Sequence, residues 1–316
     1  MLVIVNPAAA QGKTRQHWQQ VQHLLQQTQQ SVEVIWTERP RHATDLARAA
    51  AQNNTQTVVC VGGDGTVNEV VNGLMQVGDP ADANCRPTLA VIPVGTGADF
   101  AHSLGLTRDL AQSVQVALTG MIREIDIGNI ACQTGPQGHA HFFANIAGFG
   151  FDAEAVAWLA QRGKRSGRLA YVLSVLQVLR RYTNKSLTLR IATPEQAEPQ
   201  TMHGKFNIVA VANARYFGAG MLIAPQAKLN DGLLDVVLVG NLSPLNFLLQ
   251  FPLIYRGTHL SHPQVRCIRA RWLEVQSNDA NPVLLEAEGE LVGQTPAHVS
   301  IIPRALRIKV PSGFLG

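Results

Sequence analysis

Cysteine is scarce in this chain. Four residues in 316, at 60, 85, 132 and 267, are scattered without metal-ligand spacing, and reduced thiols in a cytosolic protein are the simplest reading. Charge is also sparse: 15% of residues are charged against 46% hydrophobic, which excludes a disordered chain. The net charge of +4 is a mild excess that suits anionic ligands, such as nucleotides or an acidic membrane surface, and requires neither. No apolar run reaches the roughly 18–20 residues that span a bilayer. No basic stretch precedes Leu2–Val5, which reads as a first strand and not as a signal peptide. There is no internal repeat, and the one biased stretch is a glutamine-rich helix carrying Trp18, Val21, Leu24 and Leu25 on one face.

Two phosphate-binding fingerprints are missing as well. The dinucleotide pattern G-x-G-x-x-G fails because Asn68 stands where the third glycine belongs after Gly63 and Gly65. The Walker pattern ends correctly at Gly12-Lys13-Thr14, but Pro7 occupies its first glycine position. These absences exclude a Rossmann dehydrogenase and a P-loop NTPase by motif.

What the chain does have is a strand, a glycine turn and a helix in direct succession. Thr57 to Val61 is an apolar run, Gly62-Gly63-Asp64-Gly65-Thr66 follows, and Val67, Val70, Val71, Leu74 and Met75 recur at helical spacing. This geometry brings backbone close to a ligand and points free N–H groups of the helix start at it, so the turn, with polar Asn68 and Glu69 behind it, predicts a phosphate site. A second turn, Val94-Gly95-Thr96-Gly97, follows the strand Thr88–Pro93 and places two glycine loops on one carboxyl edge of a parallel sheet. From about residue 125 the rhythm changes to strands at Phe142–Ile146, Leu187–Ile191, Phe206–Ala212, Leu234–Val239, Val265–Val275 and Val299–Ile302, which predicts an antiparallel β domain.

Gly-Gly-Asp-Gly closely resembles the core motif of the diacylglycerol kinase catalytic domain family, and further matches favour its bacterial, YegS-like lipid kinase branch. They are Asn6-Pro7 with Gly12, Gly95-Thr96 with Asp99-Phe100-Ala101, Asn145 through Asp152, Lys228-Leu229-Asn230-Asp231-Gly232-Leu233, and Glu288-Gly289-Glu290. Ala10, Ala98 and Glu288 depart from the family pattern. The resemblance implies an N-terminal Rossmann-like (phosphofructokinase-like) α/β domain at 1–124, with 303–316 a candidate to complete it, and a C-terminal antiparallel β-sandwich at 125–302 for the lipid. It implies ATP-dependent phosphorylation of a lipid hydroxyl, most simply that of diacylglycerol, giving phosphatidic acid. The alternatives are an NAD kinase, which shares Gly-Gly-Asp-Gly, and a non-catalytic lipid-binding relative.

By the same resemblance, ATP lies on Asn6, Pro7, Thr37, Gly62, Gly63, Asp64, Gly65, Thr66, Asn68, Glu69, Gly95 and Thr96. Glu290 is the general base and Asp126 a catalytic carboxylate, and the Mg²⁺ of the nucleotide is anchored through Asp64 and Asp126. A second, structural Mg²⁺ is held by the Asp231 side chain and the carbonyls of Lys228 and Leu233. The protein is expected in the cytoplasm with peripheral membrane contact, through the basic-flanked apolar stretch Arg162–Lys185. A homodimer is compatible with the resemblance, and no nucleic acid partner is expected.

Overall fold

The computed structural model describes residues 1–27, 31–94, 98–132, 140–161, 177–314 and 316. Gly95, Thr96 and residues 162–176 of the basic-flanked stretch lie outside these.

Strands and helices alternate first: β1 (Leu2–Val5), α1 (Thr14–Gln26), β2 (Glu33–Trp36), α2 (His42–Gln52), β3 (Thr57–Gly62), α3 (Asp64–Met75), β4 (Thr88–Pro93), α4 (Asp99–Ser103) and α5 (Leu110–Thr119). The strands pair in parallel in the order β2-β1-β3-β4. Successive side chains of a strand point to opposite faces. Leu2, Ile4, Val58 and Cys60 therefore pack with α2 and α3 through Ala43, Ala47, Val67 and Leu74. Val3, Val5, Val59 and Val61 pack on the other face with Trp18, Val21, Leu25 and Val114 of α1 and α5. Both faces are covered, which is why these strands read as unbroken apolar runs.

Then follow β5 (Met121–Cys132), β6 (His141–Phe143), β7 (Ile146–Gly150), α6 (Phe151–Gln161), α7 (177–181 in the described residues), β8 (Lys185–Ala192), β9 (Gln200–Phe206), β10 (Ile208–Ala212), β11 (Tyr216–Phe217), β12 (Met221–Leu222), β13 (Leu234–Val239), α8 (Pro244–Ile254), β14 (Val265–Ala270), β15 (Trp272–Ser277), β16 (Leu284–Ala287), β17 (Glu290–Gln294) and β18 (Ala297–Val310). One antiparallel sheet runs β14-β13-β10-β7-β16-β17. It packs against β8, β15 and the first part of β18 through Phe149, Val209, Val211, Leu187, Leu273 and Val299, forming the sandwich. Its other face is covered by α6, α7 and α8, through Phe151, Val178, Leu179 and Phe247.

β18 joins the two halves. Ala297–Val299 and Ser300 pair antiparallel with β15, Ile308 pairs in parallel with Leu89 of β4, and β5 runs alongside throughout, with a register shift between Ile302 and Leu306. The strand expected at Val299–Ile302 thus continues through Val310 as one 14-residue strand. Two other expected strands are broken. β14 and β15 are separated by Arg271, where the chain changes sheets. β6 ends at Phe143 and β7 starts at Ile146, because the N–H groups of Ala144 and Asn145 donate to the Glu288 carboxylate instead of to a neighbouring strand.

Candidate active site

The predicted glycine turn joins β3 to α3. Gly63 caps the helix with φ −97° and ψ −175°, extended backbone open to any residue. Among the described residues, a Cβ at Gly63 would meet only the Val94 carbonyl at 3.9 Å, and one at Gly65 nothing within 4 Å. Neither conformation nor protein packing demands glycine at these two positions. The N–H groups of Thr66 and Val67 donate to the Gly63 carbonyl, while those of Asp64 and Gly65 have no partner among the described residues and are free to serve a ligand.

Asn6, Pro7, Thr37 and Gly62 through Thr66 gather at the carboxyl ends of β1, β2 and β3. The Asn6 Nδ2 donates to Thr66 Oγ1 at 2.9 Å, and the Thr37 N–H donates to the Val5 carbonyl at 2.8 Å. Asn68 and Glu69 are turned to other work. Asn68 is buried and accepts from Asn72 Nδ2. The Glu69 carboxylate accepts from the N–H groups of Arg41 and Ala43, capping α2. Asp64 reaches across the sheet edge and accepts from the N–H groups of Asp99 and Phe100, at 3.2 and 3.1 Å, tying the first loop to α4.

Asp64 also lines a cavity of about 340 Å³. Phe151, Phe217, Met221, Phe247, Phe251 and Ile254 form its apolar wall, and Asp64, Asp99, Asn145, Asp152, Glu286 and Glu288 its polar part. No lysine, arginine or histidine is among its described lining residues. Asp99 is 6% exposed; one of its oxygens accepts from the Ala219 N–H and the other, Oδ1, has no partner among the described residues. Asp152 Oδ2 and Asn145 Oδ1 are likewise buried and unpartnered.

Glu288 and Gly289 form the two-residue turn between β16 and β17, both at positive φ, 54° and 78°. A glutamate is rare in that conformation. Here its side chain folds under the turn onto the Ala144 and Asn145 N–H groups, and burial, with the charges of Asp64 and Asp99 nearby, pushes its carboxyl up to about 8. Glu290 opens β17 and is exposed. The motif therefore splits into a buried carboxyl on the cavity and an exposed one beside it.

Asp126 stands apart from this group. It is fully buried, one oxygen accepting from the Gly232 N–H at 2.6 Å and the other from the Arg304 N–H at 2.7 Å, so it pins β5 to the 228–233 turn and to the irregularity in β18. Burial raises its pKa. Of the three groups expected around a structural Mg²⁺, the Asp231 side chain is engaged within the protein: Oδ1 accepts from the Leu233 N–H and Oδ2 pairs with the Arg269 guanidinium. The donor set of Asp64 and Asp99, with the orphaned Asp99 Oδ1, does fit a nucleotide-borne Mg²⁺.

Sequence reasoning passed over Asp152 and Glu286. A Cβ at Gly148 would strike Asp152 Oδ2 and lie 3.3 Å from Glu286 Oε1, so these two carboxyl groups meet over one glycine. Burial pushes Asp152 up to about 7, and burial, then the charge of Asp152, pushes Glu286 well up. The folded chain keeps protons that the unfolded chain releases between about pH 4 and 7, so this pair costs stability as pH rises through that window and nothing below it. Asp152→Asn is expected to melt above wild type at pH 8, by roughly 1–4 kcal/mol of stability, with the two converging towards pH 4. Denaturant midpoints across this range measure it, and a gain independent of pH would mean that the pair carries no proton.

The first 130 residues match the diacylglycerol kinase catalytic domain, and residues 145–310 match the YegS C-terminal NAD kinase beta sandwich-like domain. A diacylglycerol kinase of Bacillus subtilis is 29% identical over 98% of this chain and 95% of its own. A Chromohalobacter salexigens protein named "Probable lipid kinase YegS-like" is 30% identical over 85% of this chain and 80% of its own. The crystal structure of a diacylglycerol kinase from Bacillus anthracis superposes with a TM-score of 0.73 over 99% of this chain and 97% of the other, at 19% identity, and shares its fold. The chain belongs to the diacylglycerol kinase and YegS-like lipid kinase family.

Proposed function

We propose that this lipid kinase transfers the γ-phosphoryl group of ATP to the primary hydroxyl of a diacylglycerol whose acyl part enters the cavity. One observation carries the reading: Asp64 belongs both to the glycine turn that faces the phosphates and to the polar part of an apolar cavity. Phosphoryl transfer asks chiefly for positioning and charge stabilisation. The first-turn N–H groups of α3 hold the phosphates, the aromatic wall of α8 holds the chain, and Glu290 takes the hydroxyl proton as it attacks. Asp64 and Asp99 would hold the Mg²⁺ that accompanies ATP, which would supply charge neutralisation when bound. Glu288 stays largely protonated near neutral pH and positions the 144–146 backbone.

ATP labelled in its γ-phosphate, Mg²⁺ and diacylglycerol micelles are expected to give labelled lipid, with no label on NAD under the same conditions. Label on NAD alone would make the chain an NAD kinase. Label on neither would leave a lipid-binding relative without catalysis.

A further inference from the structure

Among the described residues, no protein partner covers the outer side of α8. Surface helices ordinarily show one apolar stripe and one polar face. In α8 the sequence Pro-Leu-Asn-Phe-Leu-Leu-Gln-Phe-Pro-Leu-Ile has only Asn246 and Gln250 as polar side chains. Phe247, Phe251 and Ile254 face inward and wall the cavity. Leu245 and Leu249 face outward, 67% and 63% exposed, with Leu248 and Tyr255 beside them. These are four of the seven large apolar side chains exposed among the described residues; Val34, Ile122 and Leu291 stand elsewhere in the fold. A cluster of this kind marks a contact surface, whereas single exposed residues do not.

Charge says what it contacts. From Val236 through Leu273 the sequence has no aspartate or glutamate, while Arg256, Arg266 and Arg271 lie within it, with Arg269 already paired to Asp231. An apolar helix face in an acid-free, arginine-bearing segment matches an anionic bilayer surface. The helix is also continuous with the cavity: one side walls it and the other is bare.

We propose that α8 is the membrane-docking element, its outer leucines entering an anionic leaflet so that a lipid passes from the bilayer into the cavity along the inner side of the same helix. This rests on the lipid kinase reading for its purpose, but not for its measurement. It also differs from the expectation of docking through Arg162–Lys185. Of the described part of that stretch, Val178 and Leu179 are buried and Lys185 pairs with Glu154 at 3.1 Å.

The test is co-sedimentation with vesicles of phosphatidylglycerol and phosphatidylcholine. Wild type is expected to sediment, and the double variant Leu245→Glu/Leu249→Glu to partition on the order of 10- to 100-fold less. The control Ile122→Glu should partition as wild type. Both altered leucines are exposed, so circular dichroism and melting should be unchanged, and Leu249→Gln serves as a milder second variant. Activity on dispersed dioctanoylglycerol should survive while activity on vesicle-borne substrate falls. The double variant sedimenting as wild type, or wild type failing to sediment, overturns the proposal. So does a change of oligomeric state in sedimentation velocity with vesicle binding intact, which would make α8 a contact between two copies. A chain that binds vesicles yet phosphorylates no lipid would fail the kinase reading alone.

Discussion

Gly63→Val is expected to abolish ATP binding and leave the fold standing. The two halves of this expectation rest on separate observations. Valine is at ease in extended backbone such as that of Gly63, and among the described residues its Cβ would find only one protein atom, the Val94 carbonyl, within 4 Å. The melting temperature should therefore move little. On the proposed reading a phosphate comes within hydrogen-bond distance of the backbone at this turn, and the added side chain would crowd that approach. Calorimetry should show no detectable ATP binding. Wild-type affinity would reduce the turn to a connection between β3 and α3. Gly62 makes an instructive contrast: a Cβ there would crowd the Thr66 side chain, so its substitution should cost stability before it costs affinity.

Glu290→Gln is expected to lower kcat by about two to four decades, the range for a lost general base, with ATP binding retained. The adjacent Glu288 makes the comparison decisive. Glu288 spends its side chain on the Ala144 and Asn145 N–H groups and is held at positive φ, so Glu288→Gln should act on stability and on the shape of the cavity. If instead Glu290→Gln turns over normally and Glu288→Gln does not, the base is the buried carboxyl. Single-turnover measurements at saturating ATP separate the two.

Much of the α/β sheet was legible because its signals are local. An apolar run, a glycine turn and a helical stripe lie within a few residues of one another at Thr57–Met75, and the strands β1, β3 and β4 appear where the runs predict them. The carboxyl cluster was not legible, because it is made by tertiary contact. Asp99 and Asp152 lie in the first turns of α4 and α6, Glu286 lies near the end of β16, and nothing in their own neighbourhoods says that they face one cavity. The inward turn of Glu288 was hidden for the same reason, and with it the break between β6 and β7. Asp126 was legible as a significant aspartate, but motif matching cannot see that both its oxygens are taken by backbone N–H groups. The apolar make-up of α8 stands in the sequence, and 11 residues interrupted by Pro252 are too short to span a bilayer, but the division of its apolar residues between cavity and exterior needed the fold.

β18 has a consequence for the order in which this protein can be made. It is the last strand in the chain, yet it lies beside β4, so the parallel sheet of the earliest residues ends in an unpaired edge until β18 arrives. During synthesis the N-terminal half emerges first and must wait on the ribosome with that edge open, a template for pairing with other nascent chains. The same strand completes the sandwich through β15. Assembly of either half during synthesis is therefore incomplete until β18 has emerged, and the one strand closes both.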